Sequence, residues 1–155
     1  MKHFNLLGDM TILEKQGEDI GTVLRPPSPF RQLLGITVRS MADGRAVVEL
    51  PHSEIVGNAH GTVHGGAIAT LADVAVAMAA ASVSPFGLGV LTVSMTTSFL
   101  NLGRGLLTAK ANVLSAGKSL VNVETTVTDA TGLPVAKALA TLKFIRPKKA
   151  EVPEN

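Results

Sequence analysis

No cysteine, tryptophan or tyrosine occurs anywhere in the chain. The missing thiol excludes cysteine nucleophiles, disulfide frameworks and cysteine-ligated metals, and it is compatible with a reducing compartment. Five Phe make up the whole aromatic complement and the formal charge is only +2. That combination supplies neither the stacking platforms nor the basic field that nucleic-acid binding uses. An unbroken apolar run is missing as well. The longest uncharged stretch, Val74 to Gly103, is interrupted by Ser82, Ser84, Pro85, Gly87 and Gly89 and then by alternating Thr and Ser. A membrane span would need roughly twenty apolar residues in a row, so no membrane partner is expected. The first residues, Met1 to Asp9, lack a long apolar core and turn acidic early. No secretory signal is expected there, and the protein is expected to be cytoplasmic.

Charge is nearly absent from the middle of the chain. Between Ile55 and Gly103 the only Asp, Glu, Lys or Arg is Asp73. Burying an ionised carboxylate costs several kcal/mol unless something compensates, so a solvated face does not explain Asp73 and a functional role does. Just before it runs Asn58-Ala59-His60-Gly61-Thr62-Val63-His64-Gly65-Gly66, leading into the apolar stretch Ala67 to Ala81.

Taken in order, 155 residues make one domain, large enough to bury a core without disulfides or structural metal. Residues 1–27 read as an N-terminal extension with a short helix between Met10 and Gln16. Ser28-Pro29-Phe30-Arg31-Gln32-Leu33-Leu34-Gly35 has the grammar of a short helix: N-cap Ser28, Pro29 at the first helical position, Gly35 as the stop. Its expected job is to cover an edge or mouth of a sheet. Ile36–Met41 and Arg45–Leu50 alternate and are joined through Asp43-Gly44, a dipeptide suited to a tight hairpin. A helix from about Gly66 to Ser84 is apolar all round apart from Thr70 and Asp73, which predicts that it is swallowed by the rest of the protein.

Four alternating runs follow. Leu91, Val93, Met95 and Phe99 oppose Thr92, Ser94, Thr96 and Ser98. Leu107, Ala109, Ala111 and Val113 oppose Thr108, Lys110 and Asn112. Val121, Val123 and Val127 oppose Asn122, Glu124 and Thr128, and Ala136, Ala138, Ala140, Leu142 and Phe144 alternate with Lys137, Thr141 and Lys143. Each predicts a strand with one wet and one dry face. The short links at 103–105, 116–118 and 129–132 predict an antiparallel meander. The alanines of the dry faces leave room for a helix to come close. The domain is expected to span residues 28–146, with a flexible tail over 147–155.

The expected architecture is α+β, a curved antiparallel sheet wrapped round one hydrophobic helix. The chain thereby resembles the hotdog fold, and more closely its acyl-CoA thioesterases of the phenylacetic-acid-degradation type. The resemblance rests on Asn58, the Gly61–Gly66 run, Ala69-Thr70-Leu71-Ala72-Asp73, the strand from Leu91 to Leu100 and the turns at Gly117 and Asp129-Ala130-Thr131-Gly132. It covers roughly residues 30 to 146. His-Gly-Gly alone is a weak signal; Asn six residues before that His and Asp nine residues after it make it specific.

Thioester hydrolysis needs an oxyanion stabiliser, a carboxylate as general base or nucleophile, and a group to place the water or carbonyl. Gly65 and Gly66 open the helix, where backbone N–H groups are unpaired and a missing Cβ lets a carbonyl oxygen approach. The resemblance makes the Gly65 N–H the oxyanion donor. Asp73 lies eight residues further on, ~12 Å along the axis at 1.5 Å per residue, too far to serve the same carbonyl within one chain. The resemblance implies a site shared between two subunits, hence a homodimer or a homotetramer built of dimers. It also implies that Asn58 binds water or orients the carboxylate, that His64 holds the thioester or the loop, and that Thr92 assists with its hydroxyl.

Gly66, Gly117 and the basic residues Arg104, Lys118 and Arg146, with Lys148 and Lys149, are candidates for meeting coenzyme A as part of the substrate. No separate cofactor is implied. His60 and His64 have i, i+4 spacing, but Gly61 and Gly65 argue against a helix holding them together, and no metal site is expected. Each residue also has a plainer reading. Asp73 could be a structural group at a dimer seam, Asn58 a turn residue, the histidines loop residues and the basic side chains solvated charges. Two other functions stay open: a hotdog enoyl-thioester hydratase or dehydratase, although the His-Phe-Pro signature of the carrier-protein dehydratases is absent, and a non-catalytic acyl-CoA-binding protein.

Overall fold

The computed structural model describes residues 27–87 and 89–146; the helix expected between Met10 and Gln16 and the tail beyond Arg146 lie outside these. A short helix, α1 (Pro29–Leu33), is followed by β1 (Thr37–Ala42), β2 (Arg45–Leu50), a single 3₁₀ turn at Glu54–Val56 and the long helix α2 (Gly65–Ala81). Then come β3 (Val90–Phe99), β4 (Leu107–Ala116), β5 (Leu120–Thr128) and β6 (Pro134–Phe144). The strands form one six-stranded antiparallel sheet in the order β1-β2-β4-β5-β6-β3, and α2 packs against all six.

Local chemistry explains most of these elements. Ser28 caps α1 by accepting the Arg31 N–H at 3.3 Å, Pro29 opens it and Gly35 closes it at φ 71°. Asp43 and Gly44 both take positive φ, 48° and 77°, the geometry of a two-residue turn that matches strand twist. The tip of that hairpin is tied to the end of α2: Ser82 Oγ accepts the Gly44 N–H at 2.8 Å and donates to the Ala79 carbonyl at 2.7 Å. Small residues set the spacing between helix and sheet. Ala67, Ala72, Ala75, Ala79 and Ala80 on α2 and Ala109, Ala111, Ala136, Ala138 and Ala140 on the strands are all buried, so the two backbones approach closely with branched residues such as Leu71, Val76, Val123 and Leu142 between them.

Three expectations need correction. First, β4, β5 and β6 form a meander, but β3 does not join it as neighbour of β4. It pairs with β6 at the far edge, so the link around Gly103-Arg104-Gly105 is a crossover beneath the start of α2 and not a hairpin. Val63 N–H bonds the Gly103 carbonyl at 2.9 Å, and a Cβ at Gly103 would lie 3.1 Å from Leu107 and 3.3 Å from Ile68 and Val135. A side chain at that crossing would have to push these three neighbours aside. Second, the single alternation assigned to β3 breaks at a bulge between Thr92 and Ser94. An extra residue reverses the side-chain phase, so Thr92 opposes buried Leu142 while Leu91 opposes exposed Lys143. Leu91 and Val93 are consequently exposed.

Third, α2 is not covered all round by the described residues. Gly66, Thr70, Asp73, Val74, Ala77 and Met78 are less than fully buried and fall at helical spacing along one stripe. The stripe carries the polar residues Thr70 and Asp73. Among the described residues no helix is long and apolar enough to cross a membrane.

Candidate functional site

The loop that leads into α2 is closed at its base. Gly57 and Val63 form an isolated bridge, and the His64 N–H bonds the Val56 carbonyl at 2.7 Å. Inside the loop Asn58 does most of the organising. Its Oδ1 accepts the backbone N–H groups of His60 at 2.9 Å and Thr62 at 3.1 Å, and its Nδ2 donates to Thr62 Oγ1 at 2.8 Å. His60 is exposed and contributes only that backbone donor.

His64 is the N-cap of α2. Its Nδ1 accepts the Gly66 N–H at 2.9 Å, which leaves the ring proton on Nε2. A Cβ at Gly66 would sit 3.1 Å from that Nδ1, so a side chain there would push on the cap. One residue earlier, the Gly65 N–H has no partner among the described residues. It is one of the four orphan donors of a helix N-terminus, at the positive end of the helix dipole. The Phe99 ring lies beside it, 3.6 Å from where a Gly65 Cβ would be.

A cleft of about 220 Å³ opens at this end of α2. Phe30, Leu34, Ile55 and Ala67 give it an apolar wall, and His64, Gly66 and Thr70 a polar end. Thr70 Oγ1 donates to the Gly66 carbonyl at 2.8 Å. Asp73 is not part of the cleft. It is half-buried two turns along α2, and its Oδ1 accepts the Thr92 hydroxyl at 2.7 Å. The β3 bulge makes this bond reachable by turning Thr92 toward the helix.

The expected site residues therefore fall into two groups within one chain. Asn58, His64, Gly65 and Gly66 gather at the start of α2; Asp73 and Thr92 pair further along. The basic residues divide as well. Arg104 is exposed on the crossover near the start of α2. Lys118 and Gly117 lie in the β4–β5 turn, where the Phe144 N–H bonds the adjacent Ser119 carbonyl at 2.9 Å. Arg146, just past β6, has its guanidinium 4.9 Å from the centroid of Phe86. Two residues not expected from the sequence belong to the first group, Thr62 and Phe99. Thr62 had a signal, a polar residue four positions after Asn58 in a glycine-rich loop. Phe99 had none, because only the folded sheet brings it beside Gly65.

Comparisons with known proteins bear on the fold and the family. A family model described as a domain of unknown function (DUF4442) matches residues 21–144. Acyl-coenzyme A thioesterase 13 of Homo sapiens is 32% identical over 133 residues, 83% of this chain and 94% of the relative. The chain belongs to the hotdog-fold thioesterase family. Within that family, the 1,4-dihydroxy-2-naphthoyl-CoA hydrolase of Listeria monocytogenes is 34% identical over 107 residues, 66% of this chain and 84% of the relative. The Escherichia coli PaaI protein from the phenylacetic acid degradation operon superposes with a TM-score of 0.73 at 27% identity, covering 82% of this chain and 91% of that one. The long α2 and the curved antiparallel sheet are thus the hotdog fold that the sequence pattern resembles.

Proposed function

We propose that the protein is an acyl-CoA thioesterase that cleaves acyl-CoA with water to a carboxylic acid and coenzyme A. Family membership supports the reaction class. The observation that carries the residue roles is the open Gly65 amide beside an apolar cleft, separated along the helix from a carboxylate held by a hydroxyl.

The acyl group lies in the cleft and its carbonyl oxygen meets the Gly65 N–H, where negative charge develops as the tetrahedral intermediate forms. Asp73 acts from the other side of the carbonyl, as general base to a water or as nucleophile, with the Thr92 hydroxyl fixing one of its oxygens. Collapse of the intermediate breaks the C–S bond: on the general-base route the departing thiolate takes the proton that Asp73 removed from the water, and on the nucleophile route an acyl–Asp73 anhydride is left, which a water hydrolyses to release the acid and supply that proton. Because ~12 Å of helix separates the two groups, the Asp73 that serves a given Gly65 comes from a second copy of the chain. The edge strand β3 is suited to that pairing: it is ten residues long, has no partner on its outer side among the described residues and exposes Leu91 and Val93. A two-fold axis at this edge sets the two α2 helices antiparallel on one face, so that each Asp73 approaches the partner's Gly65.

The test is thiol release from acetyl-, hexanoyl-, palmitoyl- and benzoyl-CoA. Asp73→Asn should lower turnover by roughly 10²- to 10⁴-fold, the usual worth of a positioned base, with folding and assembly retained. Wild-type rates in the variant would remove Asp73 from the mechanism.

A further inference from the structure

Asn58 is held in one orientation. Two backbone N–H groups, of His60 and Thr62, converge on its Oδ1; turning the amide over would set N–H against N–H, so the oxygen faces the loop and the nitrogen faces away from those amides. Of the two Nδ2 hydrogens, one goes to Thr62 Oγ1 at 2.8 Å. The other has no partner among the described residues. Asn58 itself is half-buried, and its neighbour Gly57 lines the cleft together with His64. The side chain therefore presents a single donor and no uncommitted face of its carbonyl.

Thr62 is what fixes that donor. It is buried to 1% exposure in a loop whose neighbours Gly61 and His60 are exposed. It meets Asn58 three ways: its N–H and its hydroxyl take opposite ends of the amide, and its carbonyl accepts the Asn58 N–H at 2.8 Å. A hydroxyl is the smallest group that can accept the Nδ2 hydrogen there. Valine has the same shape but would leave that hydrogen unpaired in a buried place; the two N–H groups would still hold the oxygen end, and the amide would lose the bond that sets the tilt of its nitrogen end.

We propose that Thr62 is a positioning residue for thioester hydrolysis, acting through Asn58 by aiming its one uncommitted Nδ2 hydrogen at the reacting group. This rests on the thioesterase reading. Asn58 then serves only as a donor, to the developing oxyanion, to the attacking water or to a carboxylate oxygen of Asp73.

The experiment is a double-mutant cycle on thiol release, using whichever of the four acyl-CoAs turns over fastest. Thr62→Val should lower kcat by ~10-fold with KM changed little, the pattern of an interaction that matters in the transition state. Thr62→Ser, which keeps the hydroxyl, should restore most of the turnover. In Asn58→Ala, adding Thr62→Val should cost less than about twofold more, because the residue it acts through is already gone. The proposal is overturned if Thr62→Val keeps full turnover, if Thr62→Ser is as impaired as Thr62→Val, or if the two deficits multiply. Multiplication would mean that Thr62 only shapes the loop. If the wild-type protein releases thiol from none of the four, the thioesterase reading falls and this proposal with it.

Discussion

Asp73 and Thr92 illustrate how much a single hydroxyl can carry. The 2.7 Å bond from Thr92 Oγ1 fixes one carboxylate oxygen and leaves the other without a partner among the described residues. Thr92→Val, isosteric but unable to donate, should lower kcat by roughly 10- to 100-fold, the worth of a hydrogen bond to a charged group; steady-state kinetics beside a thermal melt checks it. Asp129 tests a different property. The Thr131 hydroxyl at 2.7 Å, helped by the Thr131 and Leu133 N–H groups, holds its carboxyl below the usual carboxylate value. A group whose folded pKa is depressed stabilises the fold above its unfolded pKa, near ~3.9 for Asp, and loses that contribution as pH falls through the folded value. Asp129→Asn should therefore flatten the acid end of the stability curve, below about pH 4, with little change in turnover. The effect should be small, since Asp129 is only half-buried in a surface turn where solvent screens its bonds. An unchanged acid limb in urea titrations between about pH 2 and 5 would count against it.

At the scale of elements, the start of α2 is a glycine pair with divided duties: Gly65 leaves its amide open, and Gly66 gives its amide to His64. Gly66→Ala brings two opposed terms. Helix propensity favours Ala by up to about 1 kcal/mol, while a Cβ 3.1 Å from His64 Nδ1 loosens a cap worth about 1 kcal/mol. Stability should thus shift by less than about 1 kcal/mol while kcat falls by roughly tenfold, measured by chemical denaturation and thiol release on the same sample. Elements of this kind were readable in the sequence because their causes are local. Ser28, Pro29 and Gly35 bound α1, Asp43-Gly44 turn a hairpin, and alternation marks β4, β5 and β6. The β3 bulge was not readable, since Leu91 and Val93 look like inward residues until the register against β6 is known. Nor was the open stripe of α2, because a helix apolar on every side carries no mark of the face that the described residues leave uncovered. Asn58, His64, Gly65 and Asp73 stood out as a spaced motif, whereas the Thr62–Asn58 and Phe99–Gly65 contacts depend on loop closure and sheet order.

For the molecule as a whole, the separation of Gly65 from Asp73 makes a prediction that no single-chain site shares. Gly65→Pro should delete the open N–H alone. Proline suits the first helical position, and His64 before it is already extended at φ −62° and ψ 137°, as a residue preceding proline must be. That variant should fold, yet lose roughly 10²- to 10³-fold in kcat. Asp73→Asn should be inactive for the complementary reason. Unfolded together and refolded at equal amounts, the two inactive variants should regain about a quarter of wild-type activity, because half the pairs are mixed and each mixed pair holds one intact site out of two. No recovery on mixing would mean that each site is built within one chain.

The sheet order also bears on how the chain is made. β3 is complete at Phe99, but its partner β6 does not end until Phe144. At 5–20 residues per second the ribosome needs roughly 2 to 9 s for those intervening residues. For most of that interval Leu91, Val93 and Phe99 belong to a nascent strand whose β6 partners are not yet synthesised, a window in which a holdase chaperone has more to offer this protein than a foldase acting after release.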